Sequence, residues 1–113
     1  MTGALLVFIG GGLGALLRYL AALIVGGPIA TLGVNVAGGF VIGLLAGALP
    51  ADTLQLRLFL MTGLLGGFTT FSAFSLDALA LWQRGQPGHA AAYVIASVLL
   101  SLAAAAAGLA LSR

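Results

Sequence analysis

Apolar positions fall into four long runs, over about residues 3–25, 31–49, 54–82 and 89–111. A helix needs roughly 20 apolar residues to cross a bilayer, so each run reads as a transmembrane span. The separators are short and rich in turn formers: Gly26, Gly27 and Pro28, then Pro50, Ala51 and Asp52, then Arg84, Gly85, Gln86, Pro87 and Gly88. The third run is too long for a simple span at about 1.5 Å rise per residue. It is interrupted by Gly66, Gly67, Phe68, Thr69 and Thr70. The predicted fold is an all-α membrane protein of four transmembrane helices, the third broken near its middle, in a single domain over residues 1–113.

Composition sharpens this picture. The chain is 62% hydrophobic and 5% charged, and its charges are Arg18, Arg57, Arg84 and Arg113 against Asp52 and Asp77. That is too few to coat a water-soluble surface. The surplus of two positive charges is unclustered, so no nucleic-acid partner is expected. With no cysteine, one histidine and no carboxylate pair beside a nucleophile, the usual catalytic constellations cannot be assembled, and the chain is not expected to be an enzyme. No Lys or Arg precedes Arg18, so the first run lacks the basic start of a cleaved signal and reads as a retained span.

Small residues recur at four-residue spacing: Gly39, Gly43 and Gly47 on the second span, Gly10 with Gly14 on the first, Gly63 with Gly67 on the third. Such rows let helix backbones approach closely in lipid, either within one subunit or against a second copy. In a four-span chain Arg57 and Arg113 share one side of the membrane, and Arg84 and Arg18 belong to the other. Positive charge sets orientation, and here it is balanced. Both orientations are then open to insertion, and an antiparallel dual-topology homodimer becomes possible.

Polar side chains at bilayer depth are functional suspects because each must find a partner or water. Thr31 and Asn35 share a face of the second span; Tyr93, Ser97 and Ser101 repeat the same spacing on the fourth. Ser and Thr can satisfy themselves one turn back, whereas the Asn35 amide has donors and an acceptor to place. Phe71 and Phe74, three apart after the break, project from one face, where they either pack or offer their positive ring edges to an anion. Arg18 and Asp77 both lie toward the Arg84 loop and form a possible vestibule pair; alternatively Arg18 snorkels to the interface.

The runs Asn35–Val36–Ala37–Gly38–Gly39 and Gly66 to Ser75, with Gly14 to Tyr19 around Arg18, strongly resemble the CrcB/Fluc family of small fluoride channels over essentially the whole chain. The resemblance implies a dual-topology antiparallel homodimer in a bacterial inner membrane, with pathways for fluoride. It also implies a structural sodium ion at the dimer centre, held by backbone carbonyls that correspond to Gly66 and Thr69. On this resemblance the fluoride pathway maps to Asn35, Phe71 and Phe74, and further to Ser72, Tyr93, Ser97 and Ser101. The chain departs from the family pattern at Ala73, which removes a hydroxyl, and at Asp77, where Glu is usual. A small multidrug-resistance type, proton-coupled exporter is the alternative. It would need an intramembrane carboxylate, for which Asp77 is the sole candidate.

Overall fold

A computed structural model describes residues 2–113. Helix α1 spans Thr2–Ile24 and α2 spans Gly27–Ala48. The third span is broken into α3, residues 54–68, and α4, Phe71–Gln83; α5 spans Pro87–Ser112. Four helical spans are thus long and apolar enough to cross a membrane, the third of them bent.

Two helices start earlier than the apolar runs indicate. Pro28 and Pro87 stand in the first turns of α2 and α5 instead of in the turns before them. Proline is pre-organised for that position, where its missing N–H costs nothing. Gly85 takes φ 76°, the left-handed conformation that ends α4. There the Gln86 N–H reaches the carbonyl of Leu81 and the Gly85 N–H that of Trp82, the paired bonds of a Schellman end. The other side of the protein is closed by Arg57, whose guanidinium donates to the carbonyls of Leu49 (2.7 Å) and Pro50 (3.4 Å) just past α2. The Leu49 carbonyl would otherwise go unpaired at a helix end, whereas the Pro50 carbonyl also accepts from the N–H and hydroxyl of Thr53.

The packing is pairwise. α1 lies along α3, and α2 along α5. A side chain at Gly14 would strike the Leu64 carbonyl, and one at Gly67 the Gly11 carbonyl. One at Gly43 would strike the Ala105 carbonyl, and one at Gly108 the Phe40 carbonyl. The glycine rows are therefore spent on contacts within one chain, where they bring backbones together. Where α4 packs on α5 and α2 sits a small core of Phe74, Leu81, Ala90 and Tyr93, with Leu32 and Ala78 against it.

The break itself is narrower than the Gly66 to Thr70 stretch. Gly66–Phe68 is still helical, and only Thr69 (φ −86°, ψ 159°) and Thr70 (φ −153°, ψ 123°) are extended. Before it, Leu58–Leu65 winds as a π-helix, with the Gly66 N–H donating to the Met61 carbonyl five residues back.

Candidate functional site

An extended Thr70 at bilayer depth needs partners for its N–H and C=O, because lipid supplies none. Asn35 supplies both. Its Oδ1 accepts from the Thr70 N–H at 2.8 Å and its Nδ2 donates to the Thr70 carbonyl at 3.0 Å. In a continuous helix that N–H would go to Gly66, so the Asn35 amide stands in for the missing helical ladder. Thr70 in turn caps α4, its Oγ1 accepting from the Ala73 N–H at 3.1 Å. Thr69 folds its hydroxyl back on the Leu65 carbonyl at 3.0 Å. Its methyl occupies the space that a side chain at Gly38 would fill.

Around this break lies an open cavity of about 440 Å³. Asn35 lines it from α2, Gly66 from the end of α3, Thr69 from the break, Phe71 and Phe74 from α4, and Ser97 and Ser101 from α5. The two phenylalanines are neighbours, with ring centroids 5.4 Å apart, but Phe71 is 78% exposed and Phe74 only 7%. The hydroxyls of Ser97 and Ser101 are buried with no hydrogen-bond partner among the described residues. Unpaired buried donors are rare in a folded protein and call for an explanation. The cavity wall is otherwise mostly aliphatic, so these hydroxyls and Asn35 are its principal side-chain hydrogen-bonding groups apart from the two threonines.

Two predicted pathway residues stand apart from this cavity. Ser72 is exposed, its hydroxyl 3.3 Å from that of Thr70. Tyr93 lies behind Phe74, ring centroids 5.5 Å apart, and donates its hydroxyl to Asp77 at 3.2 Å. Asp77 also accepts from Thr31 at 2.7 Å. The suggested Arg18–Asp77 pair is not formed. Arg18 instead donates from Nε to the Gly67 carbonyl at 3.1 Å, because α1 lies on α3 while Asp77 is turned between α2 and α5. Arg18 and Thr31 share a second cavity of about 190 Å³, with Thr70 and Ala73 in its wall. Gly38 and Met61 line the larger cavity without having been singled out from sequence. Gly38, three residues after Asn35, was legible as part of one motif; Met61 carried no signal.

A membrane protein of four spans, with its third span broken and the break held by an asparagine beside a cavity of phenyl rings and unpaired hydroxyls, is a narrow class. The family described as CrcB-like protein, Camphor Resistance (CrcB), matches residues 5–109, and the chain belongs to that family. It is 51% identical to the fluoride-specific ion channel FluC of Rhodopseudomonas palustris (strain BisB5), covering 96% of this chain and 95% of the relative. A protein of the same description from Rhodospirillum centenum (strain ATCC 51521 / SW) is 55% identical over 100% of this chain and 97% of its own length. One from Rhizobium meliloti (strain 1021) is 52% identical over 100% and 98%.

Proposed function

We propose that the protein is a fluoride-specific ion channel that lets fluoride leave the cytoplasm passively across a bacterial inner membrane. The observation that carries this reading is full-length identity of about half to relatives of that description. The cavity agrees chemically. Fluoride is small and strongly hydrated, so a dry passage must replace its water with hydrogen-bond donors. Ser97 and Ser101 have protons to give, and Asn35 keeps one amide proton beyond its bond to Thr70. The positive edges of Phe71 and Phe74 supply the remaining favourable electrostatics. The channel is a conduit and not an enzyme.

The working unit in this proposal is an antiparallel dual-topology homodimer embedded in lipid. The balanced arginines support it, and so does a cavity that is open in the single chain. A sodium ion at the dimer centre is part of the same proposal, as a structural ion. The residues fit one: Gly66 and Thr69 both line the cavity, and the Thr70 N–H that would normally occupy the Gly66 carbonyl is taken by Asn35. Carbonyl oxygens are hard donors that suit an alkali cation. The exporter alternative is less favoured, because its one candidate carboxylate, Asp77, is engaged by two hydroxyls.

The test is fluoride efflux from liposomes loaded with potassium fluoride, with potassium chloride as control. With a potassium ionophore carrying the compensating charge, rapid fluoride efflux without an imposed proton gradient, and none of chloride, is expected. Efflux that requires a proton gradient points to the exporter.

A further inference from the structure

The π-helical winding of Leu58–Leu65 has no counterpart in the proposed pathway, yet it decides what the cavity wall is made of. In an ordinary α-helix each residue turns the chain by about 100°. Counting back from Gly66, α-winding would place Phe59 within about 20° of the Gly66 face and Met61 about 140° away from it. Instead Met61 lines the cavity together with both Leu65 and Gly66, Phe59 does not line it, and the Phe59 carbonyl faces Gly10 of α1. Under i→i+5 bonding each residue turns the chain less, so the five residues from Met61 to Gly66 make roughly one turn and the two share a face.

The neighbour that fits this winding is α1. A β-carbon at Gly63 would lie 3.1 Å from both the Gly10 Cα and the Val7 carbonyl, and 3.2 Å from the Leu58 carbonyl. A side chain at Gly10 would meet the Phe59 carbonyl and the Leu64 nitrogen. The α1 backbone is thus pressed into the widened turns, and a side chain at either glycine would remove the fit. At the other end Arg57, tied to the α2 terminus, also reaches the Met61 sulfur at 3.8 Å.

We infer that the π-helical stretch is a positioning element: held by the Gly10–Gly63 contact, it turns Met61 into the cavity wall and keeps the Phe59 ring out. Rewound as an α-helix, the same residues would bring a phenyl ring to the wall beside Gly66 and narrow the passage. This goes beyond the fluoride reading, and its structural half does not depend on it.

The chain has no native cysteine, so spin labels can be placed cleanly in the full-length protein. One label goes on V98C, across the cavity on α5, and the second on M61C or F59C, with labelled chains diluted into unlabelled protein. The 61–98 distance is expected to be shorter than 59–98 by about 5 Å, half a helix diameter. Equal distances or the reverse order overturn the inference. Gly63→Val should then invert the order and lower fluoride efflux at least tenfold. If Gly63→Val folds and changes neither, α1 does not set the winding. If it fails to fold, the two distances in the otherwise native chain decide.

Discussion

Asn35 grips Thr70 by both of its backbone polar groups, at 2.8 and 3.0 Å, and so replaces with one side chain the helical bonds that the third span gives up. This makes the asparagine a structural member of the break as well as a wall of the cavity. Asn35→Asp keeps an acceptor for the Thr70 N–H but sets a carboxylate oxygen against the Thr70 carbonyl. An unsatisfied buried acceptor costs about 1–3 kcal/mol. A lower melting temperature in detergent and at least a tenfold fall in fluoride efflux are expected. An unchanged melting point would mean that Thr70 is held by something else.

The two phenylalanines should separate under mutation because their burial differs so widely, 78% against 7% exposed. Phe71→Ile keeps apolar bulk but loses the positive ring edge, and an exposed position costs little stability, within about 0.5 kcal/mol. Its fluoride efflux should fall sharply while its thermal stability holds. Phe74→Ile leaves a gap against Tyr93 and should lose both, with a destabilisation of about 1–3 kcal/mol. Parallel melting and efflux measurements on the two variants read this directly.

The spans were legible because about twenty consecutive apolar residues have few alternatives to crossing a bilayer. Helix starts at Pro28 and Pro87 were missed because proline marks both turns and first helical turns, and only backbone geometry separates the two. Gly66 and Gly67 looked like the break, yet Gly67 is small because α1 touches it, and the break is made two residues later by a side chain from α2. That partner is 35 positions away in sequence, beyond any local pattern. The same holds for Arg18 and Asp77, whose sequence positions fix their depth but not their neighbours. The π-winding is set by tertiary contact, so no periodicity announces it.

Asp77 accepts from Thr31 and Tyr93 at 2.7 and 3.2 Å. Asp77→Asn retains a carbonyl oxygen that can accept both hydroxyl protons, whereas Asp77→Ala leaves two hydroxyls unpaired. The alanine variant should lose about 1–3 kcal/mol more than the asparagine variant. Denaturation of both in the same detergent gives the comparison, and equal losses would remove the carboxylate from this network.

At the break, Gly38 and Gly66 should differ although both are glycines lining one cavity. A methyl at Gly38 collides with the Thr69 methyl, while one at Gly66 meets only the Met61 carbonyl, at an ordinary 3.8 Å. Gly38→Ala should therefore displace Thr69 and reduce efflux, with Gly66→Ala folding like the native chain. Thr69→Val keeps the backbone carbonyl proposed as a sodium ligand and loses only the hydroxyl bond to Leu65. Melting of the dimer with and without sodium should show an unaltered sodium response for Thr69→Val.

The proposed antiparallel assembly makes the most demanding prediction, because it ties orientation to activity. Arg57 and Arg113 balance Arg18 and Arg84, so one added charge in a loop should decide the orientation of every copy. Asp52 and Gln86 are exposed and lie in loops on opposite sides. Asp52→Arg should fix the termini on the cytoplasmic side, and Gln86→Arg should fix them on the outer side, as read by accessibility of a terminal tag. Each variant alone then lacks an oppositely oriented partner, and fluoride efflux from cells making only one of them should fall at least tenfold. Producing the two together restores both orientations and with them the efflux. If either variant alone, with a single orientation, still conducts like the native protein, the functional unit is not an antiparallel pair.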